Sequence, residues 1–401
     1  MFTLDTDEDP SWVTDLEAAL QDDPVTDDDE KKNGPQSPQA ILQQVMTTSP
    51  GTSLPSSISG YQPSVGQPYR EIGSSANSKV FEQPGTPWAF KILLVDEALT
   101  LWDNYTLQMR VYASFDGVDK FVKTAVAVPR AVWFANKTSE FWRTDLELFP
   151  DDPRFPRQPR NVLCMERIPP LPQAVRDALV DLFCDRWSIS AAKSDPSNAD
   201  CLVHVLLGSK YDTAAHPGSY LFSLRNFKLH SDQIEQLRLD ASALAATMAD
   251  ALALLHWQAK VDGMGVQFVL GSARPTKDHT SIPGHLHLPG LHRLSPGTST
   301  FELVVNPSMH IPRTLSLWLL GFDTCQPISM SAIGVEQAIT AFLKDPLYFP
   351  RPFSNNWFID SLWTVFACRY IETAERFTSG TPAQSLPRSF IRGVQIRLLP
   401  K

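Results

Sequence analysis

The sequence predicts an α+β protein in which a β-rich half precedes a helical half, with a structureless acidic segment ahead of both. Three observations predict it. Residues 1–68 join a run of acids to 34-GPQSPQAILQQVMTTSPGTSLPSSISGYQPSVGQP-68, a stretch too poor in apolar residues to build a core. From Tyr69 to Ile168 the apolar residues fall in short β-type runs punctuated by turns. After Pro172 their spacing becomes helical. Strands first and helices afterwards is the order of an α+β arrangement, dividing the chain into 1–68, 69–168 and 169–401.

Within the acidic segment, 11-SWVTDLEAAL-20 puts Trp12, Leu16 and Leu20 one helical turn apart, with Thr14 and Glu17 in capping-box spacing. Two readings stand: a helix that docks in a partner's groove, or a solvated tail with a transient turn. Next, Val80-Phe81 and Trp88–Ile92 read as strands joined by Gln83-Pro84-Gly85-Thr86-Pro87, a tight hairpin by its turn residues. In residues 94–115, Leu101, Tyr105, Met109 and Tyr112 keep helical spacing. The runs 131-AVWFA-135 and 162-VLCMERI-168 are further strands. In 240-DASALAATMADALALLHWQA-259 apolar residues nearly encircle the helix, which predicts burial. Strands 266-VQFVL-270 and 315-LSLWLL-320 flank an insertion at about 271–314, rich in Pro, Gly, Ser and His. Helices resume at 334–344 and 356–377, and the aromatic residues fall mostly at core positions.

The chain carries 35 basic and 44 acidic residues, but residues 1–32 alone hold 12 of the acids and 2 of the bases. The remainder is close to neutral, so electrostatics gives no reason to expect nucleic-acid binding by the folded part. The 5 cysteines are widely spaced and fit neither a disulfide framework nor a zinc pattern. The three histidines of 285-HLHLPGLH-292 lack a nearby cysteine or acid pair, and read as a polar loop. No G-x-S-x-G elbow marks a serine hydrolase. With no secretory leader and no run of the ~20 apolar residues a membrane span needs, the expected location is intracellular, cytoplasmic or nuclear, away from membranes.

From Tyr69 onward the chain resembles the protein-kinase-like fold and its small-molecule phosphotransferase branch. It is similar, more closely, to a family of fungal domains of unassigned activity that carry the label zinc finger protein. The phrases YREIG, VFEQPGTPWAFK, LCMERI, MADALALLHWQA, FVLGSA and LWLLGFDTCQPISM bear that second likeness, over roughly 69–395. The first likeness implies a bilobal domain for ATP and Mg²⁺, and its parts are tested one by one. Gly73, Ser75, Ser78 and Val80 keep the spacing of a phosphate-covering loop, with one of its three glycines. Lys91 stands where the strand lysine should, although a lysine that snorkels outward reads the same. The next helix offers Gln108 and Arg110 where the lysine's glutamate partner should be. Glu166 falls in the hinge-like strand that would hold an adenine.

Asp262 is the candidate base, and Gln267 follows five residues later in place of a metal-binding asparagine. At the end of the 315–320 strand, Gly321 occupies the position of the principal magnesium ligand. If the strand continues, Asp323 points to the same face, some 6–7 Å displaced at ~3.3 Å per residue. A turn-stabilising aspartate is the alternative there. Too few residues precede the next helix for a long activation segment, which argues against a protein substrate. These losses predict a catalytically degenerate kinase-like protein that works by binding an unknown protein partner. The alternatives are a small-molecule phosphotransferase of fungal secondary metabolism, with a metal site rebuilt on Gln267 and Asp323, and a nuclear regulator that recruits through its acidic tail.

Overall fold

The computed structural model describes residues 37–47, 66–75, 77–95, 98–116, 125–153, 155–211, 222–273, 288–301, 315–345 and 347–400. Two units divide the chain; Met1–Gln36 lies outside the described residues, and Ser37–Lys401 holds everything below. The helical reading of 11–20 therefore falls outside them.

One element was not expected. Pro38–Thr47, inside the stretch read as structureless, forms helix α1. Ser37 starts it, accepting the Ala40 amide at 3.2 Å, and Pro38 stands in the first turn. Leu42 is buried in the main core, and the Gln43 amide donates to Leu237 O at 2.9 Å. The segment is too apolar-poor to fold alone, yet Leu42, with Ile41 partly buried beside it, packs into a core that other helices complete.

Strands β1 (Arg70–Ser74), β2 (Ser78–Glu82) and β3 (Trp88–Leu93) follow, then helix α2 (Ala98–Asp116), β4 (Val126–Ala127) and β5 (Ala131–Ala135). Helix α3 (Phe141–Asp145) and β6 (Val162–Glu166) complete this portion. The first sheet is antiparallel, in the order β1-β2-β3-β6-β5. Its β2–β3 turn has Pro84 then Gly85 at φ +80°, closed by the Thr86 amide on Gln83 O at 3.1 Å, a type II arrangement. Its core is aromatic: Tyr69 stacks on Phe149 at 4.0 Å, and Phe81, Phe90, Trp133 and Phe141 join them.

Helices α4 (Gln173–Phe183) and α5 (Ile189–Ser194), strands β7 (Val203–Leu206) and β8 (Phe227–His230), and helices α6 (Ser231–Gln236) and α7 (Ala241–Ala253) come next. Then β9 (Gln267–Ser272), a short helix α8 (Leu288–Leu291), β10 (Leu315–Leu320), α9 (Ala332–Lys344), α10 (Trp357–Thr378) and α11 (Leu386–Leu398) finish the chain. The second sheet runs β4-β10-β9-β7-β8 and shares one large core with the helices. The helix expected over 240–259 is α-helical only to Ala253, then a π turn, Leu254–Ala259. There the His256 and Trp257 rings both reach the Tyr370 hydroxyl, at 2.8 and 2.9 Å.

The insertion between β9 and β10 has a structural task in its described part. Thr300 exchanges hydrogen bonds with the Phe134 backbone, 2.6 and 2.8 Å, along the edge of β5. Phe301 packs beside Trp133 and Phe141. The open edge of the first sheet is covered there.

Candidate functional site

The β1–β2 loop is tied to itself. Ser75 Oγ accepts the amides of Asn77 and Ser78 at 3.2 and 3.1 Å and lies 3.0 Å from Ser78 Oγ. The Ser75 amide donates to Ser78 O at 2.8 Å. Backbone N–H groups aimed outward make an anion nest, whereas these are consumed inside the turn. Gly73 sits opposite Val80, next to a register irregularity in β1.

Lys91 lies mid-way along β3, between Val80 and Leu163 in register, and is 8% exposed. Unpaired, its ammonium would be costly there. It does not snorkel: Nζ forms an ion pair with Asp323 Oδ1. Helix α2 is not its partner, because the Gln108 amide donates to Pro129 O at 2.9 Å. The lysine's acid therefore comes from a residue 232 positions away, at the end of β10.

Asp323 does not continue the strand, as expected from its spacing. Strand β10 stops at Leu320, and Phe322–Thr324 form a 3-10 turn. Gly321 causes the break, with φ +85° and ψ +43°, a conformation that side-chain-bearing residues seldom adopt. A Cβ at 321 would also lie 2.9 Å from Gly265 O and 3.3 Å from Gln267 Cγ. The turn carries Asp323 toward Lys91 instead of along the strand.

Asp262 is 3% exposed and accepts three hydrogen bonds. The Met264 and Gln326 amides reach Oδ1 at 3.0 Å each, and the Gln337 side-chain amide reaches Oδ2 at 3.0 Å. A carboxylate has about four acceptor positions, so most of this one is engaged. Around it, Val261 bridges Pro327, the Asp262 amide donates to Gln326 O at 3.0 Å, and the Ile328 amide to Lys260 O at 2.9 Å. Asp262 thus pins its loop to α9. The contribution of Gln337 was not apparent in the sequence; its only signal is a polar residue on a helix whose neighbours Val335, Ala338 and Ile339 are buried.

Gln267 opens β9 opposite Leu320, its side chain beside Gly321. Glu166 ends β6; its amide donates to Arg130 O at 2.7 Å, and its Oε2 accepts the Arg130 amide at 3.1 Å. Beneath the loop, His256 Nε2 is 3.3 Å from Asp262 O, and complete burial lowers the imidazole to about 3. It is a neutral prop for the loop.

The structure thus joins Lys91 to Asp323, Ser75 to Ser78, and Gln267 to Gly321. The residues present do not suit magnesium, since Asp323 is engaged by a cation and glycine stands where a carboxylate ligand was expected. For zinc, His285 and His287 of the histidine-containing loop lie outside the described residues. Among the described residues, no three His, Cys, Asp or Glu side chains gather to hold a metal ion. Cys325 is buried, its Sγ donating to Met264 O at 3.1 Å, and burial with the nearby Asp262 and Asp323 charges pushes its thiol well up. Among the described residues, no helix is long and apolar enough to cross a membrane.

No curated protein and no solved structure matches the chain. Residues 317–381, from within β10 to just past α10, match the model of a domain family whose description reads zinc finger protein.

Proposed function

We propose that this chain is a catalytically degenerate, kinase-like protein that acts by binding a protein partner. The strand order supports the kinase-like part of the reading, since it sets the loop strands β1 and β2, the lysine strand β3 and the hinge-like strand β6 side by side. Strands β9 and β10 pair along their whole length, with Asp262 just ahead of one and Asp323 just after the other. The observation that carries the degenerate part is the Lys91–Asp323 ion pair. Phosphoryl transfer needs the lysine on phosphate and an acid on metal. Here each charge cancels the other.

A γ-phosphate transfer assay tests this against small-molecule and protein acceptors, alongside thermal-shift titration with MgATP and with ATP plus EDTA. The wild-type chain should transfer nothing, with no magnesium-dependent stabilisation. Metal-dependent turnover that vanishes in Asp262→Asn would overturn the reading.

One observation favours a small-molecule phosphotransferase as the second reading: the Asp323 side chain is 48% exposed, so a cation could compete for it. That reading requires Asp323→Ala to abolish transfer in a folded protein.

A further inference from the structure

Four charged side chains close a ring between the first sheet and the helical half. Arg70 on β1 and Glu82 on β2 face each other in register. Arg167 follows β6 directly, and Asp200 ends the 3-10 turn Pro196–Asp200. Arg70 Nε donates to Glu82 Oε1 at 2.8 Å and Nη2 to Asp200 Oδ1 at 2.8 Å. Arg167 pairs with Glu82 and, at 2.9 Å, with Asp200. Each arginine touches both acids, and the ring is neutral.

Three members are nearly out of water, with side-chain exposures of 4% for Glu82, 5% for Asp200 and 13% for Arg167. Only Arg70 looks outward, at 43%. The acid on the helical side is firmly held. Arg176 donates to Ala199 O at 2.7 Å, and the Leu171 amide to Cys201 O at 3.0 Å. Beside the ring, Arg225 donates to Glu71 O at 3.2 Å, so β1 is gripped twice.

A buried ion cluster repays its desolvation poorly, and well-packed apolar residues of similar size often hold a fold as firmly. Charges provide something else: a contact that fails sharply when one member is neutralised. We infer that the ring is a latch that locks the β1–β2 hairpin against the helical half, with the half-exposed Arg70 as the member through which it opens. Released, the Arg70–Glu82 end of the hairpin, which lies at the Glu166 end of the sheet with the Ser75–Ser78 turn at the other, would come free of the helical half. The consequence for nucleotide access rests on the proposed reading; the latch itself does not.

Hydrogen–deuterium exchange on the full chain tests it, comparing wild type with Asp200→Asn and the milder Arg70→Gln. Asp200→Asn should speed exchange of amides 70–82 by about a hundredfold, and Arg70→Gln by about tenfold, with β9, β10 and α10 unchanged. Acceleration spread evenly over both sheets, or none at 70–82, would overturn the latch. If Asp200→Asn does not fold, Arg70→Gln decides alone. A MgATP titration of the same variants separates the two claims. Fast local exchange together with new nucleotide binding upholds the latch and counts against a degenerate site, and fast exchange without binding upholds both.

Discussion

Among single residues, Lys91 is a buried cation whose counter-charge comes from far along the chain. Lys91 has its ammonium in an apolar strand, so removing Asp323 leaves a desolvated charge behind. Asp323→Ala should cost about 1–2 kcal/mol, reduced by the half exposure of the acid, while Lys91→Met with Asp323→Ala should recover most of it. Urea denaturation of the four proteins in that cycle measures the coupling; purely additive losses would mean that the pair contributes nothing. The resemblance to the kinase-like fold singled out Lys91, Asp262 and Asp323 in the sequence. It could not reveal that the first and last meet, because 232 residues separate them and the meeting depends on a left-handed glycine. In the sequence, Gly321 reads as a lost ligand. Its backbone makes it a hinge in the chain path, where any side chain would crowd Gly265.

At the scale of elements, the best-read segments were those whose own periodicity matched their burial. Strand β10 was legible to the residue because LSLWLL is apolar throughout and pairs with β9 along its full length. Helix α7 was legible up to its C-terminal turn. The π turn at Leu254–Ala259 was not, since it is drawn out by a tertiary contact, the Tyr370 hydroxyl of α10 beneath His256 and Trp257. That turn gives the fold an acid sensitivity. Burial lowers His256 to about 3 and His204 to about 4, so both are neutral when folded, whereas the unfolded chain takes up protons near the ordinary 6.5. Stability should therefore fall as pH drops below about 6.5, by up to about 1.4 kcal/mol per pH unit for each histidine, until the folded values are reached. In His256→Asn the decline between pH 6.5 and 5 should be shallower by about one proton, even though the variant starts less stable. Equal slopes in wild type and variant would rule this out.

For the molecule as a whole, charge is distributed in a way that composition only half discloses. The excess of acid lies in residues 1–32, outside the described part, and the rest is balanced. Much of that balance is internal, with Arg70, Glu82, Arg167 and Asp200 in one ring, Lys91 with Asp323, and Asp250 with Arg369 joining α7 to α10 at 2.8 Å. The mixture of strands and helices was readable, because turn residues and helical spacing act locally; that β7 to β10 of the later portion join in a second sheet was not. The ring was not, because its members come from four separate segments and each alone looks like an ordinary surface charge. On the proposed reading, the groups expected to serve a nucleotide serve one another instead. Crystals grown with magnesium and a non-hydrolysable ATP analogue test it most directly. The expected result is an intact Lys91–Asp323 pair and no divalent ion beside Gln267; an ordered ion bridging triphosphate oxygens between Gln267 and Asp323, with Lys91 turned onto phosphate, would overturn that reading.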